Sequence, residues 1–223
     1  MSRLRRERRL GPVTDWATIS ALATAGGTLA LAGVTLASVR SANRAARVAE
    51  QSLLAGLRPL LVTSRLEDPP QKVGFADNVW LHVPGGAAAA QAADHALYLA
   101  IGLRNVGTGI AVLHGWQLYP EARRGDNEPP SAEAFTRLTR DLYIAPGDPG
   151  FWQGVFRDPS SNEYAAARAA VEARERLTID VLYGDYEGGQ RMISRFGLTP
   201  QANGDGWLAS VARHWNVDRP DPR

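Results

Sequence analysis

The chain has 223 residues, enough for one domain of ordinary size plus an anchor, and it contains no Cys, which excludes disulfides, thiolate metal sites and Cys nucleophiles. Its formal charge of +2 is unevenly spread: residues 1–57 carry eight Arg against three acids, whereas residues 58–223 carry sixteen Arg and Lys72 against twenty acids. The larger part is therefore slightly acidic, which argues against a nucleic-acid partner.

Residues 1–15 form a basic tail that contains RLRRERR. From Trp16 to Val39 there follow twenty-four residues without a charge. A helix of that length spans roughly 36 Å, enough to cross a hydrocarbon core of about 30 Å with some tilt. Pro12, with Thr14 or Asp15 as N-cap, suits the start of such a helix, and Trp16 suits a membrane interface. The segment is built from Ala, Thr, Ser and Gly, so a cleaved signal peptide and a buried soluble helix compete with the anchor reading. Its uninterrupted length favours a transmembrane helix over 16–39. Ala23/Gly27, Gly26/Ala30 and Gly33/Ala37 have small-xxx-small spacing. Gly26, Gly27 and Gly33 are thus the expected face for a homo-oligomer within the lipid bilayer. Five Arg in the tail outweigh Arg40, Arg44, Arg47 and Arg58 on the other flank. The expected topology is a single-pass protein of the cell membrane with a cytoplasmic N-terminus and its C-terminal domain outside.

Residues 40–58 continue with strong helix formers until Arg58-Pro59, and read as a helical stalk that can run on from the membrane segment. Past Pro59, short apolar runs alternate with Gly/Pro/Asp/Asn clusters. Strands are expected at 60–66, 78–83, 95–105, 110–119, 140–145, 151–156, 177–185, 190–198 and 206–212. In the third, Leu97, Leu99, Ile101 and Leu103 fall on one face. The stretches 67–77, 84–94 and 121–134 read as loops, with GGAAAAQAA as low-complexity filler. Ser160 and Glu163 match a capping box opening one surface helix, packed through Tyr164, Ala167 and Val171, with Arg168/Glu172 and Glu172/Arg176 at i,i+4 spacing. The expected fold over 59–216 is mainly β: an antiparallel immunoglobulin-like β-sandwich with one inserted surface helix, preceded by the long N-terminal helix and followed by a loose tail at 217–223.

Two turns stand out. Asn105, Gly107 and Gly109 sit between two strong strands, where Asn and Gly tolerate the positive φ of a tight reversal. Asp185, Gly188 and Gly189 lie in a hairpin with a Gly-Gly turn. The run Leu103-Arg104-Asn105-Val106-Gly107-Thr108-Gly109-Ile110-Ala111 resembles the L-x-N-x-G-x-G-x-A turn of bacterial β-sandwich domains. It departs from that pattern at Ile110, where Pro is usual. Tyr183-Gly184-Asp185 with Gly188, Gly189 and Phe196 looks like the hairpin found beside that turn. The pair is similar to that of uncharacterised bacterial, actinobacterial-like, single-pass membrane proteins with an N-terminal helix and a small β domain. Scarce Lys beside abundant Ala and Arg fits a high-GC bacterial genome. The resemblance covers about thirty residues; it implies a fold and no activity.

No catalytic, cofactor-binding or metal-binding residue is expected. His82, His95 and His114 fall on expected strands, and no two of the four His are at i,i+4. HExxH, Walker-type, GxGxxG and GxSxG patterns are missing. Asp180, Asp185 and Glu187 read as a Ca²⁺ cluster or, more simply, as polar strand and turn residues. Trp80, Trp116, Trp152, Trp207 and Trp215 belong to the core or to a ligand surface. The pair Phe151 and Trp152, which follows the turn at 146–150, is the candidate interaction surface. The expected role is a non-enzymatic, membrane-anchored domain that binds a protein or cell-envelope component. The alternative is an accessory or scaffold subunit of a larger membrane complex.

Overall fold

The computed structural model of the chain describes residues 15–123, 128–202, 204 and 206–220. The expectations placed on RLRRERR, Pro12 and Thr14, on 124–127 of the 121–134 loop and on 221–223 lie outside the described residues. The chain divides into two compact units between Ser52 and Leu53.

The first unit is helical. Helix α1 spans Trp16–Gly56 without a break. Its sequence offers strong helix formers and no Pro until position 59, so nothing stops it where the charge-free segment ends. Every side chain from Trp16 to Leu53 is exposed, including Leu22, Leu29, Leu31, Val34 and Leu36. Four hydroxyls of the apolar stretch bond back to the helix itself. Thr24, Thr28 and Thr35 donate to the carbonyls of Ser20, Thr24 and Leu31 four residues back, and Ser20 donates to Ala17. A helix whose hydroxyls are already bonded loses little on leaving water. By length and composition α1 is one candidate membrane span.

The second unit is mainly β. Its strands are β1 (Leu61–Thr63), β2 (Gln71–Gly74), β3 (Trp80–Val83), β4 (Ala87–Ala92), β5 (Leu97–Asn105), β6 (Ala111–Tyr119), β7 (Thr136–Ile144), β8 (Pro149–Phe156), β9 (Leu177–Gly184), β10 (Met192–Pro200) and β11 (Trp207–Asn216). Nine of them make one antiparallel sheet. β8 holds one edge of β5 while β1 and β4 share the other, and the order continues β4-β11-β10-β9-β6-β7. Strands distant in that order share one core: Leu97, Leu99, Ile101 and Leu103 of β5 pack with Ile179, Val181 and Tyr183 of β9 and Phe196 of β10. The sheet therefore folds over on itself as a β-sandwich. Helix α2 (Asn162–Glu172) adds Tyr164, Ala167, Ala170 and Val171 to this core.

Two smaller layers cover the outer faces. The β2–β3 hairpin sets Val73, Phe75, Leu81 and Val83 over Tyr98 and Ala100 of β5. A 3-10 turn at Ala132–Ala134 leads into Phe135, which packs with Leu182, Ile193 and Trp215. Strands β5 and β9 are thus buried on both sides, which is why their apolar runs are almost continuous.

Several expectations are corrected. The stretch 67–77 holds β2, and the Ala-rich filler is β4, lodged between β5 and β11. The cap of α2 is Ser161, whose hydroxyl accepts from the Tyr164 N–H at 3.1 Å, because Asp158 engages the hydroxyl and N–H of Ser160. His95 lies in the bend before β5 rather than on a strand. Gly188 has φ +75°, as its hairpin requires, but Gly107 and Gly109 are not in the positive-φ region. There glycine is needed for close approach: a Cβ on Gly109 would lie 1.7 Å from the Leu57 carbonyl oxygen, and one on Gly107 would lie 2.4 Å from that of Arg58.

The two signature turns work together. The Asn105 oxygen accepts from the Leu60 and Gly107 N–H groups, and its amide donates to the carbonyls of Gly109 and Ile144. The Arg58 carbonyl accepts from Thr108 and Gly109, and the Leu60 carbonyl accepts from Val106. In the hairpin, Asp185 accepts from the Gly189 N–H at 2.8 Å and from the Gln190 amide, which also donates to the Leu54 carbonyl. Both turns therefore hold residues 54–60, the segment leading into β1.

Candidate functional site

The groove that could receive a ligand lies on the outer face of β8. Side chains alternate across a strand, so Phe151, Gln153, Val155 and Arg157 point outward while Trp152 points to the core. One wall is the β2–β3 hairpin, through Lys72, Gly74, Phe75 and Trp80; the other is Thr139 and Arg140 of β7. The space enclosed is about 680 Å³.

The hairpin exists because Asp77 and Asn78 make its turn. Asn78 takes φ +62°, and its N–H donates to the Phe75 carbonyl. Gly74 stands opposite Trp80, and the indole ring fills the space a Cβ would need, 2.6 Å away. Trp80 nevertheless keeps 54 % of its surface exposed. The Lys72 ammonium sits 4.7 Å from the centre of its ring. Across the groove the Arg140 guanidinium donates to the Gln153 side chain at 2.6 Å and lies 5.9 Å from the Phe151 ring. Such cation–aromatic pairs keep the charge available while shielding one face of the ring.

The electrostatics favour anions. The groove lining holds Lys72, Arg140 and Arg157 and no acid, although this part of the chain is net acidic. The carboxylate of Asp77, next to the lining residue Ala76, is taken up by the Tyr98 hydroxyl and by Arg157, 3.5 Å away. The Tyr98 bond holds the Asp77 carboxyl below its ordinary range and raises the Tyr98 hydroxyl. Lys72 and Arg140 have no carboxylate partner among the described residues.

The expected surface pair separates. Phe151 is half-buried at the groove, but Trp152 is fully buried, edge-on to Trp116 at 5.4 Å. The exposed tryptophan of the β unit is Trp80, while Trp116, Trp207 and Trp215 are buried. Two signals pointed to the hairpin: Lys72 is the single Lys of the chain, and Val73/Phe75 and Leu81/Val83 alternate on either side of an Asp-Asn turn. Asn105, Gly107, Gly109, Asp185, Gly188 and Gly189 serve the turns described above and lie outside the groove lining.

Other arrangements are accounted for by packing. Asp180 faces Arg195 and Asp185 holds its turn, so the imagined carboxylate cluster is not assembled. Among the described residues no three His, Cys, Asp or Glu side chains come together as metal ligands. Ser194 lies 2.7 Å from His214, but it is fully buried and also contacts the Tyr183 hydroxyl and the Leu61 carbonyl. Those contacts hold it inside the sandwich. The chain matches no protein-family model, no curated protein and no solved structure.

Proposed function

We propose that the chain is a single-pass, membrane-anchored β-sandwich domain that works by binding, without catalysis, a protein or cell-envelope component. The observation that carries this reading is the aromatic, cation-lined groove around Trp80. The uncovered apolar helix supports the anchor, and the Arg excess of the tail supports an N-terminus in the cytoplasm with the β domain outside. The expected kinship is with bacterial single-pass membrane proteins of this build.

The full chain should stay in the membrane pellet after alkaline carbonate washing, with its leader present by intact mass. A His95→Cys variant should react in whole cells with an impermeant maleimide. Release into the wash would sink the anchor, and protection of the Cys would reverse the orientation. Affinity capture of the full chain from detergent, read by mass spectrometry, should give a partner that is lost with Trp80→Ala.

The alternative, an accessory subunit of a larger membrane complex, is favoured by one observation. Gly26, Gly27 and Gly33 meet nothing beyond their own neighbours and helix backbone within 4 Å of where a Cβ would stand, so another helix could approach closely there. A set of membrane subunits captured equally with Trp80→Ala supports that second reading.

A further inference from the structure

We propose that the partner is an extended acidic peptide, which lies along β8, pairs with its free edge and alternates acidic with small apolar side chains. This deepens the binding reading above and rests on it. The first observation is an open seam. Strands β7 and β8 are consecutive and joined by only residues 145–148, yet they share no ladder: β7 pairs with β6 alone and β8 with β5 alone among the described residues. Residues 138–141 of β7 also leave the β6 ladder, at an irregularity beside His114. In an antiparallel pair, half of a strand's N–H and C=O groups point away from its partner, so β8 presents a row of them to this seam. An added strand would bond to that row.

The second observation is the charge and shape on the two sides of the seam. On the outer side lies the groove already described. On the inner side a smaller hollow of about 120 Å³ continues between β7 and β8, floored by Trp116 and Gly154. A peptide paired to β8 would send alternate side chains to these two sides. The outer positions meet Lys72 and Arg140, which have no carboxylate partner among the described residues and so select carboxylates, with Trp80 and Phe151 beside them. The inner positions meet Trp116, Gly154 and Leu138, with Arg137, Arg140 and Arg157 around them, in a hollow that leaves space for a small side chain. Both hollows together are lined by four basic residues, Arg137 being the fourth, and by no acidic one. Complementary charge of this kind mainly steers encounter and rejects wrong partners, while main-chain pairing sets the register.

The test uses the full chain in detergent and a fluorescein-labelled peptide of four Glu-Val repeats, read by anisotropy. Binding is expected to weaken at least tenfold for Lys72→Glu/Arg140→Glu. It is expected to weaken comparably for a peptide with alternate amides N-methylated, and to fall with added salt. Both substituted residues are exposed, so far-ultraviolet dichroism should be unchanged. If that variant misfolds, Lys72→Gln/Arg140→Gln replaces it with the same expected direction. No binding at millimolar peptide, equal binding by the charge variant, or equal binding of the N-methylated peptide would each overturn the proposal. Dextran sulfate displacing the peptide at lower charge concentration would assign the groove to an anionic glycan instead. If the peptide fails while Trp80→Ala still abolishes capture of a partner, the binding reading stands and only this chemistry falls.

Discussion

Replacing Asn105 by Ala is expected to lower the stability of the β domain by about 3–5 kcal/mol, since several main-chain groups would lose their partner at once. The side chain is fully buried and uses all its bonding capacity, accepting at 3.1 and 3.0 Å and donating at 2.7 and 3.0 Å. Gly109 and Ile144 would keep carbonyls aimed at an empty space, and Leu60 and Gly107 would keep unmatched N–H groups. Asn105→Asp is expected to be no milder, because a carboxylate would face the two carbonyls that the amide now serves. Urea unfolding of the full chain in detergent, followed by tryptophan fluorescence, measures both. A loss under about 1 kcal/mol for the Ala variant would show that water replaces these bonds without cost.

Arg195→Met is expected to cost a similar amount, about 3–5 kcal/mol, because it removes the bidentate partner of a buried carboxylate. Asp180 and Arg195 are 0 % and 3 % exposed and stand directly opposite each other on β9 and β10. Two parallel bonds of 2.8 and 2.7 Å join them, and the guanidinium lies 4.8 Å from the Trp215 ring and 5.6 Å from the Tyr119 ring. The pair is therefore held by packing as well as by charge. The double variant Asp180→Leu/Arg195→Met is expected to recover most of the loss, since the desolvation cost of the pair goes with it. The same urea titration gives the coupling energy. A double variant as unstable as Arg195→Met alone would mean that the stacked guanidinium matters more than the stranded charge.

The parts of this fold that were legible in the sequence are those where period and chemistry agree. The alternation Leu97, Leu99, Ile101, Leu103 marks the inner face of β5, and Tyr164, Ala167 and Val171 mark the buried face of α2. The long helix followed from the charge-free stretch and the distance to the next Pro. What was not legible had no contrast to show. β4 is almost all Ala, so neither face looks apolar or polar, and only its neighbours β5 and β11 make it a strand. Phe151 and Trp152 look like one patch in the chain, yet adjacent strand residues face opposite ways, and the strand sends the larger ring inward. The groove draws on residues 72–80, 139–140 and 151–157, which the topology brings together and no local pattern joins.

The hold on residues 54–60 has a consequence for how this chain tolerates sequence drift. The carbonyls of Leu54, Arg58 and Leu60 and the amide of Leu60 make the bonds to the two turns, and the Arg58–Asn216 contact uses a side chain. Peptide groups are common to every residue, so most replacements along this connector leave its grip intact, with Pro at position 60 an exception. The burden of chemical identity falls instead on Asn105, Gly107, Gly109 and Gln190, which do the gripping. Two homologous chains could thus differ freely in the connector while remaining alike in the distant loops that clasp it.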